Sequence, residues 1–198
     1  MDRAAVEEGL RRLCAAGDLQ LAAARTIEAY GPEVLGFLAA KLRDEDAAGE
    51  AFARAAESLW KGLPGSRFAA TLRTWFYTLA RNAAAHLKRD QRRRREDPLD
   101  ASAEIVARVR SRTLAHLRTE VKDRFAEVRA SLDPDDQALL ILRVDRGLDW
   151  NQVARVMADD GDDAALARTA ARLRKRFQLL KDELRRRALA AGLVGESD

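Results

Sequence analysis

Apolar residues recur at intervals of three and four positions through most of this 198-residue chain, which is the spacing that one face of an α-helix requires. The stretch from Thr71 to Arg89 shows it clearly, with Leu72, Trp75, Phe76, Leu79 and Ala83 on one stripe. Ala, Leu, Arg and Glu, which are strong helix formers, dominate the composition, while Gly and Pro are few and local. The pattern predicts an all-α fold and argues against an all-β one.

Breaks in this pattern divide the first half of the chain into helices. We expect breaks near Gly17–Asp18, near Gly31–Pro32 and at residues 44–46. Pro32 suits the first turn of a new helix, because the amide that proline lacks has no partner there. The stretch Gly62–Ser66 holds two glycines and a proline, and therefore predicts a loop.

A run of four arginines, Arg92–Arg95, ends at Glu96-Asp97-Pro98, and a charge run that ends at proline is typical of a domain boundary. We therefore predict two small helical domains. The predicted boundaries are 1–90 for the first domain, 91–102 for a flexible basic linker, 103–190 for the second domain and 191–198 for a short tail.

Local signals in the second half predict further helices. Residues 105–125 suggest one long helix or two stacked ones, and Asp133-Pro134 provides an N-cap and a first-turn proline for a helix that Gly147 ends. Asp149 can cap a short helix after it. An acidic turn at residues 159–163 precedes a final helix that begins near Ala164 and extends to Ala190. The apolar stripe of this final helix consists of Leu166, Ala170, Leu173, Phe177, Leu180 and Leu184.

Catalysis finds little support in the residues. The two histidines, His86 and His116, lie in different predicted domains, and neither belongs to a recognisable metal motif. The single cysteine, Cys14, excludes an internal disulfide and reads as a small core residue. We therefore expect no enzyme, no metal and no cofactor. Without a signal peptide or a long apolar run, no membrane insertion is expected, and the expected compartment is the cytoplasm.

Residues 81–95 carry a net charge of +6, which suits contacts with the phosphates of a nucleic acid. A solvated charge run in a linker is the alternative. The same helix bears Trp75, Phe76 and Tyr77, whose rings could stack on unpaired bases. Core packing is the alternative for Trp75 and Phe76, and their spacing favours it.

The stretch from Asp149 to Ala158, followed by the cationic final helix, has the layout of a helix-turn-helix. Arg168, Arg172 and Lys175 fall away from the apolar stripe of the final helix, and Arg174 and Gln178 lie on its other flank. Such side chains can contact phosphates and base edges. An ordinary amphipathic helix with solvated arginines would show the same pattern.

Several motifs resemble one family. Residues 46–52, DAAGEAF, with Leu59-Trp60 after them, resemble the polymerase-binding helix of sigma factor region 2. Residues 72–82, LRTWFYTLARN, resemble the region 2 helix that ends in an Ala-Arg-Asn signature. Residues 132–144 followed by 147–154, GLDWNQVA, resemble region 4 with the first helix of its helix-turn-helix. The chain is thus similar to the small sigma factors of the extracytoplasmic-function type, in the sigma-70 family.

The resemblance implies functions for these segments. The helix that contains residues 46–52 and Leu59-Trp60 would bind core RNA polymerase, through Asp46, Glu50, Phe52 and Trp60. The loop that follows would capture a flipped base of the promoter minus-ten element, and the next helix would contact DNA around it. The implied minus-ten residues are Leu63, Pro64, Gly65, Ser66, Arg67, Phe68, Arg73, Arg81, Asn82, His86, Lys88 and Arg89. The final helix would read the minus-thirty-five element through Arg168, Arg172, Arg174, Lys175, Arg176 and Gln178.

Two positions depart from the family pattern. Gly49 stands where the family usually has glutamine, in the helix that would bind polymerase. The acidic turn at residues 159–163 also makes the connection between the two helices of the helix-turn-helix longer than usual. Aspartates there would repel phosphate, but at a helix N-terminus they complement the helix dipole, and we favour this capping role.

Three functional hypotheses follow. In the first, the protein is a sigma factor that acts with core polymerase and promoter DNA, with control by a separate anti-sigma partner left open. In the second, it is a stand-alone regulator that binds duplex DNA through its C-terminal helices. In the third, it is a sigma-like adaptor that occupies polymerase without reading promoters.

Overall fold

The computed structural model describes residues 2–65, 70–90, 124–158 and 162–190. These residues form α-helices and short helical turns and no strand, which confirms the all-α prediction. The chain divides into two compact units, residues 1–115 (unit 1) and residues 116–198 (unit 2). The predicted linker at 91–102, the helices expected before residue 124 and the predicted tail lie outside the described residues.

Unit 1 contains four described helices, α1 (Arg3–Ala15), α2 (Leu19–Leu42), α3 (Glu45–Gly62) and α4 (Leu72–Asp90), with a 3₁₀ turn at Leu63–Gly65 after α3. The break near Gly17 is confirmed, since Gly17 takes the left-handed φ of 81° that favours glycine. The break at residues 44–46 is confirmed too, because the Asp44 side chain caps α3 by accepting from the Ala47 amide at 2.9 Å.

The break predicted at Gly31–Pro32 is wrong, because α2 runs through Pro32 without interruption. Proline leaves the carbonyl of Glu28 without its helical donor. The residue before a proline normally avoids the helical conformation because its Cβ meets the proline ring, and Gly31 has no Cβ. Gly31, Tyr30 and Val34 are buried, so tertiary packing on this part of α2 outweighs the local penalty.

The core of unit 1 forms where α2, α3 and α4 pack together. Phe37 contacts Tyr77 edge to face at 5.4 Å between ring centroids, and Phe52 lies 5.8 Å from Phe76. Phe76 and Tyr77 are fully buried, so of the two readings of the α4 aromatics, core packing is correct for them. Trp75 is only partly buried. Its ring lies so close to Gly62 that a Cβ at that position would stand 3.0 Å from Trp75 Cζ2.

The described helices of unit 2 are α5 (Arg124–Ala130), α6 (Pro134–Leu140), α7 (Trp150–Met157) and α8 (Asp163–Ala190). The predicted cap is confirmed, since Asp133 accepts from the Asp135 amide and Pro134 opens α6. After Leu140 the chain continues as one π-helical segment, Ile141–Asp145, in which the Arg146 amide donates to the Ile141 carbonyl. Gly147, at a φ of 66°, then ends the segment as predicted.

The short helix α7 begins with a complete capping box. The Asp149 carboxylate accepts from the amides of Asn151 and Gln152, and the Gln152 side chain accepts from the Asp149 amide. The apolar stripe of α8 packs on the rest of unit 2, with Leu180 joining Leu132 and Leu140 in a small core that Phe177 and Leu184 flank. This stripe leaves the opposite side of α8 to solvent.

Candidate nucleic-acid interface

The exposed side of α4 carries Asn82, His86 and Arg89. These residues follow one another at i, i+4 and i+7, so they lie on one face, opposite the buried Ala84 and Leu87. Arg89 Nη2 lies 3.5 Å from His86 Nδ1, which places two nitrogen-bearing side chains side by side. We call Asn82, His86 and Arg89, together with the half-buried Arg81 beside them, the α4 polar face.

The residues just before α4 are only partly within the described chain. Leu63 belongs to the 3₁₀ turn and is 1% exposed, so its side chain packs in unit 1 and is not available to a base. Pro64 and Gly65 are exposed. Ser66, Arg67 and Phe68, and the side chain of Lys88, lie outside the described residues. We therefore remove Leu63 from the proposed DNA-contacting set.

Arg73, which the resemblance assigns to DNA, lies in the interior of unit 1. Its guanidinium forms two hydrogen bonds with the Glu33 carboxylate, one of them 3.0 Å long between Nη2 and Oε2. It also lies about equally far from two aromatic rings, 6.0 Å from the centroid of Tyr30 and 5.9 Å from that of Tyr77. Burial opposes the charge of Arg73, but the hydrogen bonds and charge of Glu33 outweigh it and raise the pKa of Arg73. A guanidinium held in this way binds protein rather than DNA.

Sequence reasoning missed Glu7, a residue of α1 whose carboxylate reaches the start of α4. Its two oxygens accept from the backbone amides of Leu72 and Arg73 at 3.2 and 3.1 Å. Burial of Tyr30, and then the nearby negative charge of Glu7, raise the pKa of the Tyr30 phenol above its usual range. No local pattern could reveal this contact, because Leu72 and Arg73 lie 65 and 66 positions after Glu7 in the chain.

The residues assigned to polymerase binding differ in exposure. Asp46 and Glu50 are exposed on α3, where Glu50 Oε1 accepts from Arg54 Nη2 at 2.8 Å. Trp60 is partly buried. Phe52 is fully buried against Phe76, so its assignment as a contact residue fails, because no surface of the ring remains for a partner.

In unit 2, the side of α8 opposite the apolar stripe carries Arg168, Arg172 and Lys175, all of them exposed. We call these three residues the α8 basic face. On the flanks, Gln178 is exposed, and the guanidinium of Arg174 lies 5.6 Å from the centroid of Trp150. The ring contact restricts Arg174 but leaves it charged at the surface.

Arg176 is exposed like its neighbours on α8, but its guanidinium is bound to α6. Its Nε donates to Asp136 Oδ1 at 2.7 Å, and its Nη2 donates to Asp136 Oδ2. The hydrogen bonds and the charge of Asp136 raise the pKa of Arg176. Because Asp136 is buried and has this guanidinium as its partner, the pair fastens α8 to α6. The Arg176 side chain is 54% exposed, but we expect its guanidinium to stay with Asp136 rather than contact DNA.

The described part of the acidic turn serves as a helix cap. Asp162 Oδ1 accepts from the Ala165 amide at 2.7 Å, and Asp163 lies in the first turn of α8, 3.6 Å from Arg155. The capping role favoured for these aspartates is therefore confirmed for Asp162. Residues 159–161 lie outside the described chain.

The described residues contain no group of three or more His, Cys, Asp or Glu side chains arranged to hold a metal ion. None of the described helices has both the length and the apolar character that a bilayer crossing requires.

A family model described as Sigma-70 region 2 matches residues 26–94, about a third of the chain. Residues 26–94 are thus similar to sigma-70 region 2. The match begins within α2, includes α3 and α4 and therefore holds the whole α4 polar face, but leaves out α1 and unit 2. No curated protein and no solved structure matched the chain.

Proposed function

We propose that this protein is a sigma factor of the extracytoplasmic-function type, which binds core RNA polymerase in the cytoplasm and directs promoter recognition and DNA opening. The observation that carries the proposal is the α4 polar face inside a sigma-70 region 2 domain. Arg81, Asn82, His86 and Arg89 form a polar strip on one helix, while the aromatic residues Phe76 and Tyr77 behind it are fixed in the core.

The chemistry of the α4 polar face suits separated DNA strands. Arginine forms charge-assisted hydrogen bonds with phosphate oxygens, and asparagine can pair with the edge of an unstacked base. Holding a base out of the duplex costs a few kcal/mol of stacking, so the surface that receives it must already be ordered. The buried rings and alanines beneath α4 supply that rigidity.

Polymerase binding is assigned to a different surface of unit 1. Asp46 and Glu50 expose carboxylates on α3, and α3 packs against α4 on its buried side. An acidic surface for protein and a basic one for DNA let a single domain bind both partners through different helices. Phe52 and Leu59 contribute by holding α3 in place from inside.

Unit 2 supplies the second promoter contact in this proposal. The helices α7 and α8 correspond to the two helices of a helix-turn-helix, and the α8 basic face would enter the major groove of the minus-thirty-five element. Arg174 and Gln178 border that face and can add contacts to phosphate or base edges. The capping of α8 by Asp162 directs its carboxylate to the protein's own amide.

The test is transcription in vitro with purified core RNA polymerase on a promoter library, with and without the protein. The proposal predicts new start sites that require both components. Their absence, together with tight duplex binding by the protein alone, would instead favour the stand-alone regulator. Polymerase binding that yields no start sites and tolerates loss of Arg172, Lys175 and residues 63–68 would favour the adaptor.

A further inference from the structure

We propose that Glu7 is a positioning residue for promoter opening, which caps α4 from a helix outside the region 2 match and so holds the α4 polar face in place. The inference rests on the proposed function and assigns part of the promoter-opening machinery to α1. Glu7 acts through the backbone of α4 and touches no DNA itself.

The amides that begin a helix have no partner within it, and in α4 those of residues 72–74 are all satisfied by side chains. The amides of Leu72 and Arg73 donate to the two oxygens of Glu7. The Thr74 amide donates to Thr71 Oγ1 at 3.1 Å, and the Trp75 amide makes the first bond of the helix itself, to the Thr71 carbonyl at 2.9 Å. Two of the three side-chain acceptors thus come from a helix that is remote in sequence.

Water is a poor substitute for Glu7 at this position. Leu72 is 2% exposed and Arg73 is 8% exposed, so their amides have little access to solvent. A buried amide that loses its acceptor costs more than the bond itself contributed. The negative charge of the Glu7 carboxylate also complements the positive end of the α4 dipole, which a neutral side chain cannot do.

Helix α1 also packs on α2, but the acceptors of the Leu72 and Arg73 amides come from Glu7. Leu10 is the one buried residue of α1, and most of the other residues of the helix are exposed. The contact also lies at a sensitive point, since Arg73 in the same first turn is bound to Glu33 of α2. Glu7 and Glu33 together therefore fix the start of α4 relative to α1 and α2.

A change at the start of α4 reaches the α4 polar face because the helix is continuous. Asn82 follows Leu72 by ten positions on the same unbroken helix, a distance of about 15 Å along the axis. A loosened first turn changes the axial position and tilt of the helix, and with them the placement of Asn82 and His86. Asp46 and Glu50 are exposed on α3 and take no part in its packing against α4, so we expect core binding to be less sensitive to this change.

The experiment compares Glu7→Ala, Glu7→Gln and the matched control Glu8→Ala in the full-length protein. Glu8 neighbours Glu7 on α1 but is exposed and pairs with Arg12, so its loss should change nothing at α4. Two quantities are measured with core polymerase on a promoter that the wild type opens: the affinity for core polymerase, and the rate of strand opening from permanganate reactivity. Hydrogen exchange of the free proteins measures how well the Leu72 and Arg73 amides are protected from solvent.

For Glu7→Ala we expect opening to slow by about 2- to 30-fold, the effect of losing a helix cap, with unchanged affinity for core polymerase. Exchange at Leu72 and Arg73 should accelerate by a similar factor. Glu7→Gln keeps one acceptor oxygen and should fall between Glu7→Ala and the wild type. Glu8→Ala should match the wild type in every measurement.

If Glu7→Ala opens the promoter at the wild-type rate, the inference is overturned and the proposed function still stands. Equal losses of core affinity and opening would overturn it too, because they would indicate a general folding defect. As a further control, Leu38→Val disturbs a fully buried α2 side chain. If this variant loses as much thermal stability as Glu7→Ala and slows opening equally, the slower opening of Glu7→Ala comes from lost stability and not from the position of α4, and the inference is overturned. A wild type that opens no promoter would instead refute the proposed function, and the inference with it.

Discussion

Arg73 and Glu33 form an ion pair inside unit 1, although they stand 40 positions apart in the sequence. Their side chains are only 10% and 13% exposed. Each side chain therefore depends on the other, since a buried charge without a partner is much more costly than a solvated one. The pair also joins α2 to the first turn of α4, directly beside the Glu7 cap.

The first prediction concerns this pair. Arg73→Met should lower the free energy of unfolding by about 3–5 kcal/mol, because it leaves the Glu33 carboxylate buried and unpaired. The double variant Arg73→Met/Glu33→Met should recover much of that loss, since it removes both charges. Urea denaturation followed by circular dichroism measures both values. A single variant as stable as the wild type would show that Arg73 has no structural role.

The second prediction concerns the α4 polar face. Asn82→Ala and Arg81→Ala should each slow promoter opening by about tenfold, because one contact to a base edge is worth about 1–3 kcal/mol. Their affinity for core polymerase should change little. Opening is followed by permanganate reactivity and core binding by fluorescence anisotropy, with Arg25→Ala, an exposed α2 residue paired with Glu28, as the control. Equal losses in the two assays would indicate a structural role for Arg81 and Asn82.

The third prediction separates two neighbouring cations of α8. Lys175→Ala should reduce the slope of log affinity against log salt for duplex DNA by about 1, the effect of one lost phosphate contact, without changing stability. Arg176→Ala should leave that slope unchanged and destabilise unit 2 by about 1 kcal/mol, a value discounted for the solvent exposure of Arg176. Fluorescence titrations at several salt concentrations measure the slope, and thermal unfolding measures the stability. The reverse result would restore Arg176 to the DNA-contacting set.

The fourth prediction uses Cys14 as a reporter of Glu7. Burial, and then the negative charge of Glu7, raise the pKa of the Cys14 thiol, so little reactive thiolate forms at pH 8. Glu7→Gln removes the charge, should lower that pKa and should therefore speed alkylation by iodoacetamide. The rate should rise further as pH increases through the thiol pKa. The control Glu8→Ala should react as the wild type does, and an unchanged rate in Glu7→Gln would contradict the electrostatic argument.

Local signals allowed much of the fold to be predicted. The stripe of α8, the Asp133-Pro134 start of α6 and the Asp149 cap of α7 each depend on residues within one or two helical turns, and the structure confirms all three. The prediction of a break in α2 was wrong for the opposite reason. The penalty of Pro32 is local, but the burial that outweighs it comes from distant helices.

The candidate site was harder to predict for the same physical reason. Arg73 and Arg176 look like solvent-facing cations in the sequence, and only the folded chain places Glu33 and Asp136 against them. Phe52 belongs to a motif that resembles a binding helix, but the same helix needs a buried face, and Phe52 lies on it. Motifs identify the helix, while partners remote in sequence decide which of its side chains remain available.

The Trp75 ring occupies the space that a Cβ on Gly62 would enter, at the corner between α3 and α4. A methyl group at position 62 would force the indole to move by a few tenths of an ångström, and any larger side chain would force it further. The volumes of the two positions are therefore coupled: a bulkier residue at 62 favours a smaller ring at 75. Among natural variants of this chain, these two positions should mutate as a pair, in compensating directions of volume.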